Sequence, residues 1–337
     1  MLIIATVGLN STAEDKIRKM ILAGADILRF NFAHRIIADN VEYVKTAKAA
    51  IENINSHTKI MIDLPTNKVR LGNFNSIFYS VREGQEVIFK SATYSPDCNE
   101  FIPIETEKIG TKLNLNQTIT IGDGEVAFQI TNITDDDTIV AEAFNNGTIK
   151  TMRTFNAGLH FTDNDYIQYC KDILKKVLTI EPDFLVIPYI NQKLNERMIT
   201  DLELEKLGYK IVAKIESNIN KDEMESIYQH PLFQSVLIDL GEIGVNIPFY
   251  RVGNYYQQIK NTACKHQKPT WIMTHLLEST INNYIPNRAE IINLTDVVRD
   301  GIKGIVLGHE TALGARPAYS IHVAKQIIEE AQKTEIC

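Results

Sequence analysis

Tryptophan occurs once in this 337-residue chain, cysteine four times, and positive charge is in deficit. Each shortage excludes something. The formal net charge is −7, with 35 Lys and Arg against 42 Asp and Glu. That removes the basic footprint of a nucleic-acid binder or of a protein held on an anionic membrane. No apolar run approaches the roughly 20 residues a membrane helix needs. Cys98, Cys170, Cys264 and Cys337 have neither metal nor redox spacing, which fits a reducing, cytoplasmic setting. The opening Met1-Leu-Ile-Ile-Ala-Thr-Val is too short for a signal peptide and has no basic flank, so a strand is expected there. What is left is a soluble globular chain, 44% hydrophobic, long enough for one large domain plus a smaller one.

Hydrophobic patterning supplies the order of elements. Residues 2–7 form a continuous apolar run, and Ser11 or Thr12 is placed to cap a helix reaching about Ala23. Strands are expected at 26–30 and 59–63, with a helix over 40–55 between them. Strand, helix and strand in alternation argue for parallel β/α construction. From about Asn73 the spacing tightens to short strands at 87–90, 118–121, 126–130 and 138–143, separated by turns such as Gly122-Asp123-Gly124. No crossover helix fits such spacing, so an inserted antiparallel β domain is expected over 73–156. The alternation then resumes with strands at 184–188, 210–214, 235–239, 269–273 and 304–307. Helices are expected at 163–178, 192–207, 248–265, 294–300 and 318–332. Three strands before the insertion and five after it give the arithmetic of a closed (β/α)8 barrel, built from residues 1–72 and 157–337.

In such a barrel the strand ends carry the chemistry. Lys214 and Glu216 close the run Tyr209-Lys-Ile-Val-Ala-Lys-Ile-Glu-Ser217 two residues apart, on one side of the chain. Alone they read as an ion pair. Other strand ends supply Arg29, Asn31 and His34, then Asp63 with Lys68 and Arg70 beyond it, Gly241 and Glu242, Thr274 and His275, and Glu310 with Thr311. Glu216 and Glu242 can bind magnesium together with water and substrate oxygens. Two arginines and two lysines suit an anionic, phosphorylated substrate. This is an inventory for phosphoryl transfer, which depends on positioning and charge neutralisation. Each residue also has a plainer reading: Arg29 a rim salt bridge, Asn31 a turn, Asp63 a cap, Glu290 a helix-start charge, and His34, His275 and His309 structural histidines.

The motifs carry a resemblance. Ile3-Ile-Ala-Thr-Val-Gly8, Arg29-Phe-Asn-Phe-Ala-His34, Asp63-Leu-Pro-Thr-Asn-Lys-Val-Arg-Leu-Gly72, Ala213-Lys-Ile-Glu216, Gly241-Glu-Ile-Gly-Val245, Thr274-His-Leu-Leu-Glu-Ser279, Asn287-Arg-Ala-Glu290 and Gly308-His-Glu-Thr-Ala312 resemble, in order, segments of the pyruvate kinase family. The resemblance covers nearly the whole chain and is weakest in the insertion. It implies a TIM barrel with a small antiparallel β-barrel lid, the B domain. It also implies Mg2+- or Mn2+-dependent phosphoryl transfer between phosphoenolpyruvate and a nucleoside diphosphate such as ADP, yielding pyruvate and ATP. By the same resemblance, Glu216 and Glu242 would hold the metal, and Lys214 would stabilise the phosphoryl group in flight. Arg29 would contact that group, while Arg70 and His34 would face the nucleotide phosphates. Thr274 would lie near the carbon that is protonated, and amides around Gly241 would hold the substrate carboxylate.

Departures from the family pattern shape the expectation. The usual potassium site uses Asn31, Asp63 and two hydroxyls, but Ala33 and Leu64 carry none. Lys68 stands where potassium-dependent members have glutamate, so a fixed ammonium is expected to replace the ion. The arginine of Arg-Gly-Asp is Leu240, His275 replaces a glutamine, and Ile292 stands at a serine linked to proton delivery. The family's C-terminal domain, with its effector sites and much of the tetramer interface, is not represented. These changes suggest a specialised pathway rather than housekeeping glycolysis. Expected partners are small molecules, with neither nucleic acid nor membrane, and a homodimer is a possible assembly. Two other readings stay open. One is an aldolase or lyase acting on phosphoenolpyruvate or pyruvate, or phosphotransfer to a non-nucleotide acceptor. The other is a non-catalytic metabolite sensor.

Overall fold

The structure, a computed structural model, describes residues 1–33, 37–76, 78–189 and 191–333. Among these, eight parallel strands close on one another: β1 (Leu2–Thr6), β2 (Ile27–Asn31), β3 (Lys59–Asp63), β4 (Phe184–Tyr189), β5 (Lys210–Ile215), β6 (Phe233–Asp239), β7 (Thr270–Met273) and β8 (Gly304–Leu307). Each pairs with its neighbours in chain order. β8 returns to β1 in the register Leu2↔Gly304 to Ala5↔Leu307. β3 and β4 pair directly although the whole insertion lies between them in sequence. The strands are short β-branched runs buried on both sides, as parallel strands covered by helices must be. This is the (β/α)8 barrel that the alternation predicted.

Helices follow the strands at Glu14–Ala23, Ile37–Asn53, Asp163–Val177, Gln192–Asp201, Lys221–Gln229, Val252–His266, Arg288–Arg299 and Pro317–Lys333. Two of their starts have hydrogen bonds that set them apart from expectation. Neither Ser11 nor Thr12 caps the first helix: its N-cap is Ala13, and the Ser11 hydroxyl instead accepts the amide of Gly8 at 3.0 Å. The helix expected at 294–300 starts six residues earlier, at Arg288, where Glu290 accepts the Asn287 amide at 3.1 Å. No helix among the described residues is long and apolar enough to cross a membrane.

Inside the barrel, Ile4, Ile27, Met61, Phe184, Val186, Val212, Leu237, Trp271, Met273 and Val306 form one buried cluster. The single tryptophan is part of it, edge-on to Phe184 with ring centroids 5.6 Å apart. Such a contact is worth about 0.5–1.5 kcal/mol beyond the area it buries. Gly304 makes room for it, since a Cβ there would come within 2.7 Å of the indole.

Contacts divide the chain into two units, Met1–Thr66 with Ile167–Cys337, and Asn67–Tyr166. The second begins six residues earlier and ends ten residues later than the strand spacing indicated. The extra residues are tied into it: Arg70 bridges to Thr154, Leu71 to Ile104, and the Asn67 side-chain amide donates to the Phe161 carbonyl at 3.1 Å. Its main sheet runs in the order Phe155–Asn156, Thr118–Ile121, Val126–Asp135, Thr138–Ala143, Glu86–Ser91, Ile102–Ile104. All pairs are antiparallel except the last, which is parallel. Alternate residues such as Val126, Phe128 and Ile130 point to a separate core, where Phe89 meets Phe128 edge-to-face at 5.3 Å.

Candidate active site

On five of the barrel strands the inward side passes from apolar to polar in steps of two. Ile27 is followed by Arg29 and Asn31 on β2, and Met61 by Asp63 on β3. Val212 leads to Lys214 and then to Glu216 just past β5, Leu237 to Asp239 on β6, and Ile4 to Thr6 on β1. The alternation that builds an oily floor therefore delivers a charged layer at the carboxyl ends of the strands.

The charges in that layer pair. Arg29 donates from Nε and Nη2 to Oδ2 of Asp63, at 2.9 and 2.5 Å, and from Nη1 to the Thr6 hydroxyl at 3.0 Å. Lys214 Nζ lies 3.0 Å from Oδ1 of the same carboxylate and 3.2 Å from Oε2 of Glu216. Arg29, Asp63, Lys214 and Glu216 are 3%, 0%, 4% and 3% exposed. Two cations facing two carboxylates is the composition that lets such a group be buried at all. Burial alone would raise the Asp63 carboxyl, but Lys214 and Arg29 outweigh it and hold the group below the usual carboxylate range. Burial likewise works against the Lys214 ammonium, yet Asp63, Glu216 and Asp239 keep it more firmly protonated than a free lysine. Lys214 is a buried ammonium that its carboxylate neighbours favour in the charged form.

Beside this network, Asp239 ends β6 with 7% exposure. Its Oδ1 accepts the Thr274 hydroxyl at 2.9 Å and the Glu242 amide at 3.3 Å, so it also caps the short helix Leu240–Asn246. Burial and the neighbouring Glu242 charge push the Asp239 carboxyl upward, partly offset by Lys214. Thr274 follows β7 at φ +80°, and His275 follows it at +55°. A β-branched residue held there costs on the order of 1–3 kcal/mol and persists only when its surroundings enforce it. Two contacts do so: the hydroxyl bond to Asp239, and the bare Cα of Gly241, where a Cβ would stand 2.5 Å from Thr274 Cγ2.

A family model described as pyruvate kinase, barrel domain, matches residues 1–321. The chain belongs to the pyruvate kinase family. It is 26% identical to the pyruvate kinase of Agrobacterium vitis over 332 residues, covering 98% of this chain and 68% of that protein. It is 27% identical to the Thermotoga maritima enzyme over 342 residues, with 98% and 71% coverage. Against the Thermoplasma acidophilum enzyme the identity is 26%, with 96% and 57% coverage. The chain is thus a pyruvate kinase-like phosphotransferase.

Of the residues read from the sequence, the barrel brings Arg29, Asp63, Lys214 and Glu216 into one network. At adjacent strand ends Asp239 joins the Glu242 amide to Thr274, and Gly241 packs against Thr274. Asn31 Oδ1 accepts the Ala33 amide at 2.9 Å, the turn role that was its plainer reading. Lys68 and Arg70 belong to the second unit, where Arg70 Nη1 donates to the Met152 carbonyl at 3.0 Å. His34 lies outside the described residues. Glu290 accepts the Ser279 amide at 2.9 Å as well as that of Asn287, so it fastens the start of its helix. His275 and His309 flank Glu278 at 2.6 and 3.1 Å, and their hydrogen bonds hold its carboxyl well below the usual range.

Sequence reading missed Asp239 and Thr6. Both stand two residues after an inward apolar residue, in the same frame as Lys214, and that frame was the signal available. Among the described residues no three Asp, Glu, His or Cys side chains gather as a metal cage. A magnesium site built from one or two carboxylates and substrate oxygens requires no such cage.

Proposed function

We propose that this chain transfers a phosphoryl group between phosphoenolpyruvate and a nucleoside diphosphate, ADP in the simplest case. The observation that carries this reading is the buried Lys214 ammonium, held charged by Asp63 and Glu216 where barrel enzymes place their chemistry. A fixed cation in a water-poor site stabilises the charge of a phosphoryl group between donor and acceptor oxygens far better than one in bulk water.

Glu216 and Glu242 would hold a magnesium or manganese ion. The donor set fits, because hard carboxylate oxygens suit these ions and the two residues follow paired strands β5 and β6. When bound, such an ion neutralises charge on substrate oxygens. Arg29 contacts the transferring group, and amides near Gly241 take the substrate carboxylate. As the phosphoryl group leaves for the nucleotide, the enolate oxygen becomes a ketone and its methylene carbon takes up one proton near Thr274, giving pyruvate. Arg70 and His34 face the nucleotide phosphates. Lys68 supplies the monovalent charge that potassium would otherwise bring.

The test is pyruvate formation from phosphoenolpyruvate with Mg2+, across nucleoside diphosphates, with and without K+. Turnover with ADP and no potassium requirement supports both statements. Silence with phosphoenolpyruvate still bound in calorimetry would move the reading to another acceptor or to lyase chemistry, and silence without binding would overturn it.

A further inference from the structure

We propose that Asp239 is a positioning residue for the proton step: it holds the Thr274 hydroxyl, and through it the Thr274 backbone, in place for transfer to the enolate carbon. The inference rests on the functional reading above, which puts Thr274 beside that carbon. Three observations carry it. The Thr274 hydroxyl hydrogen is committed to Asp239 Oδ1 at 2.9 Å, so the lone pairs of that oxygen are what it turns toward its surroundings. The Thr274 backbone sits at φ +80°, a conformation that a β-branched residue leaves unless held. Asp239 itself is buried and fastened by the Glu242 amide, so the carboxylate acts as a fixed post.

Orientation is the whole of this role. The proton reaching carbon comes from solvent, from a water that the Thr274 oxygen can accept from and so align. Asp239 neither gives nor takes a proton. A hydroxyl free to rotate would align that water only part of the time, which lowers the rate of the proton step without weakening substrate binding.

The test uses Asp239→Asn, Asp239→Ala, Thr274→Val and the double variant of the last two in the full chain. Readouts are kcat and KM for phosphoenolpyruvate, exchange of pyruvate methyl hydrogens with deuterated water, and crystal structures of the two Asp239 variants. Asparagine retains an acceptor oxygen, so Asp239→Asn is expected to keep most of kcat and the left-handed Thr274. Asp239→Ala is expected to lower kcat and exchange by about tenfold or more at unchanged KM, and to release the Thr274 backbone. Adding Asp239→Ala to Thr274→Val should cost nothing further, because a residue acting through Thr274 has nothing left to orient. Additive losses would assign the effect to the helix cap and overturn the proposal, as would equal losses in Asp239→Asn and Asp239→Ala. Were the wild-type protein to turn over no phosphoenolpyruvate, the functional reading would fall. The φ of Thr274 would then decide the positioning claim alone, and a left-handed Thr274 retained in Asp239→Ala would sink it.

Discussion

Lys214 and Asp63 meet at 3.0 Å across an intervening strand, since β4 lies between β3 and β5. The lysine therefore reaches past β4 to a carboxylate that it shares with Arg29. It also pairs with Glu216, two residues on, at 3.2 Å. Lys214 thus links two strand ends in the charged layer that the functional reading uses.

Replacing Lys214 by methionine keeps the volume and removes the charge. Turnover should be abolished, while Mn2+ binding measured by calorimetry persists because Glu216 and Glu242 remain. Asp63 keeps Arg29 as a partner, so the stability loss should fall near the lower end of the range for breaking a buried ion pair, about 3 kcal/mol. Turnover near the wild-type rate would remove Lys214 from its assigned role.

Asp63→Asn makes the converse change, leaving two buried cations with one carboxylate between them. We expect a loss on the order of 3–5 kcal/mol, read from urea unfolding with Trp271 as the only tryptophan probe of the barrel interior. The sign with pH follows from the direction of the Asp63 shift. Its folded-state value is lowered, so its contribution is present above the unfolded value of about 3.9 and is lost as pH falls through the folded value. The gap between wild type and variant should accordingly be full at neutral pH and close under acid conditions. A gap that widens in acid would contradict the assignment.

The apolar runs made the barrel legible, because eight buried parallel strands separated by helices have few other arrangements. Lys214 and Glu216 were legible because charge ending an apolar run is conspicuous. Asp239 was not, since the neighbouring Gly241-Glu242 motif drew attention to the helix, and only the inward frame set by Leu237 shows Asp239 facing the site. The left-handed Thr274 was hidden for a different reason: local preference opposes that backbone in a β-branched residue, so only tertiary contacts could reveal it. Ser11 misled because a hydroxyl before a helix can close a turn as readily as cap one, and Gly8 settled which.

Gly241 tests the contact that confines Thr274. A Cβ at 241 would stand 2.5 Å from Thr274 Cγ2, and 3.2 Å from both its Cβ and its hydroxyl. Gly241→Ala should therefore displace Thr274, lowering kcat and costing roughly 1–3 kcal/mol of stability by overpacking. Thr274→Ser deletes the closest atom. Combined with Gly241→Ala it should recover most of that stability, a coupling of about 1 kcal/mol or more between residues in direct contact. Strictly additive unfolding energies would show that the close approach is not what makes glycine necessary there.

Lys68 offers the last and most specific test. In the proposed reading, Lys68 takes the place of a potassium ion whose hydroxyl ligands are missing at Ala33 and Leu64. Lys68 is half-buried, so its charge is screened less than that of a surface lysine. Reversing it to glutamate exchanges a fixed cation for an anion and should impose a requirement for a monovalent cation. Wild-type initial rates should be the same in K+ and in a bulky organic cation, whereas Lys68→Glu should be nearly inactive in the latter and regain rate as K+ is added. Because the two missing hydroxyls remain missing, the recovered rate should stay below wild type even at saturating K+. Adding the hydroxyls back, as Ala33→Ser with Leu64→Thr, should lower the K+ concentration needed. If Lys68→Glu shows the same indifference to K+ as the wild type, the ammonium is not standing in for the ion.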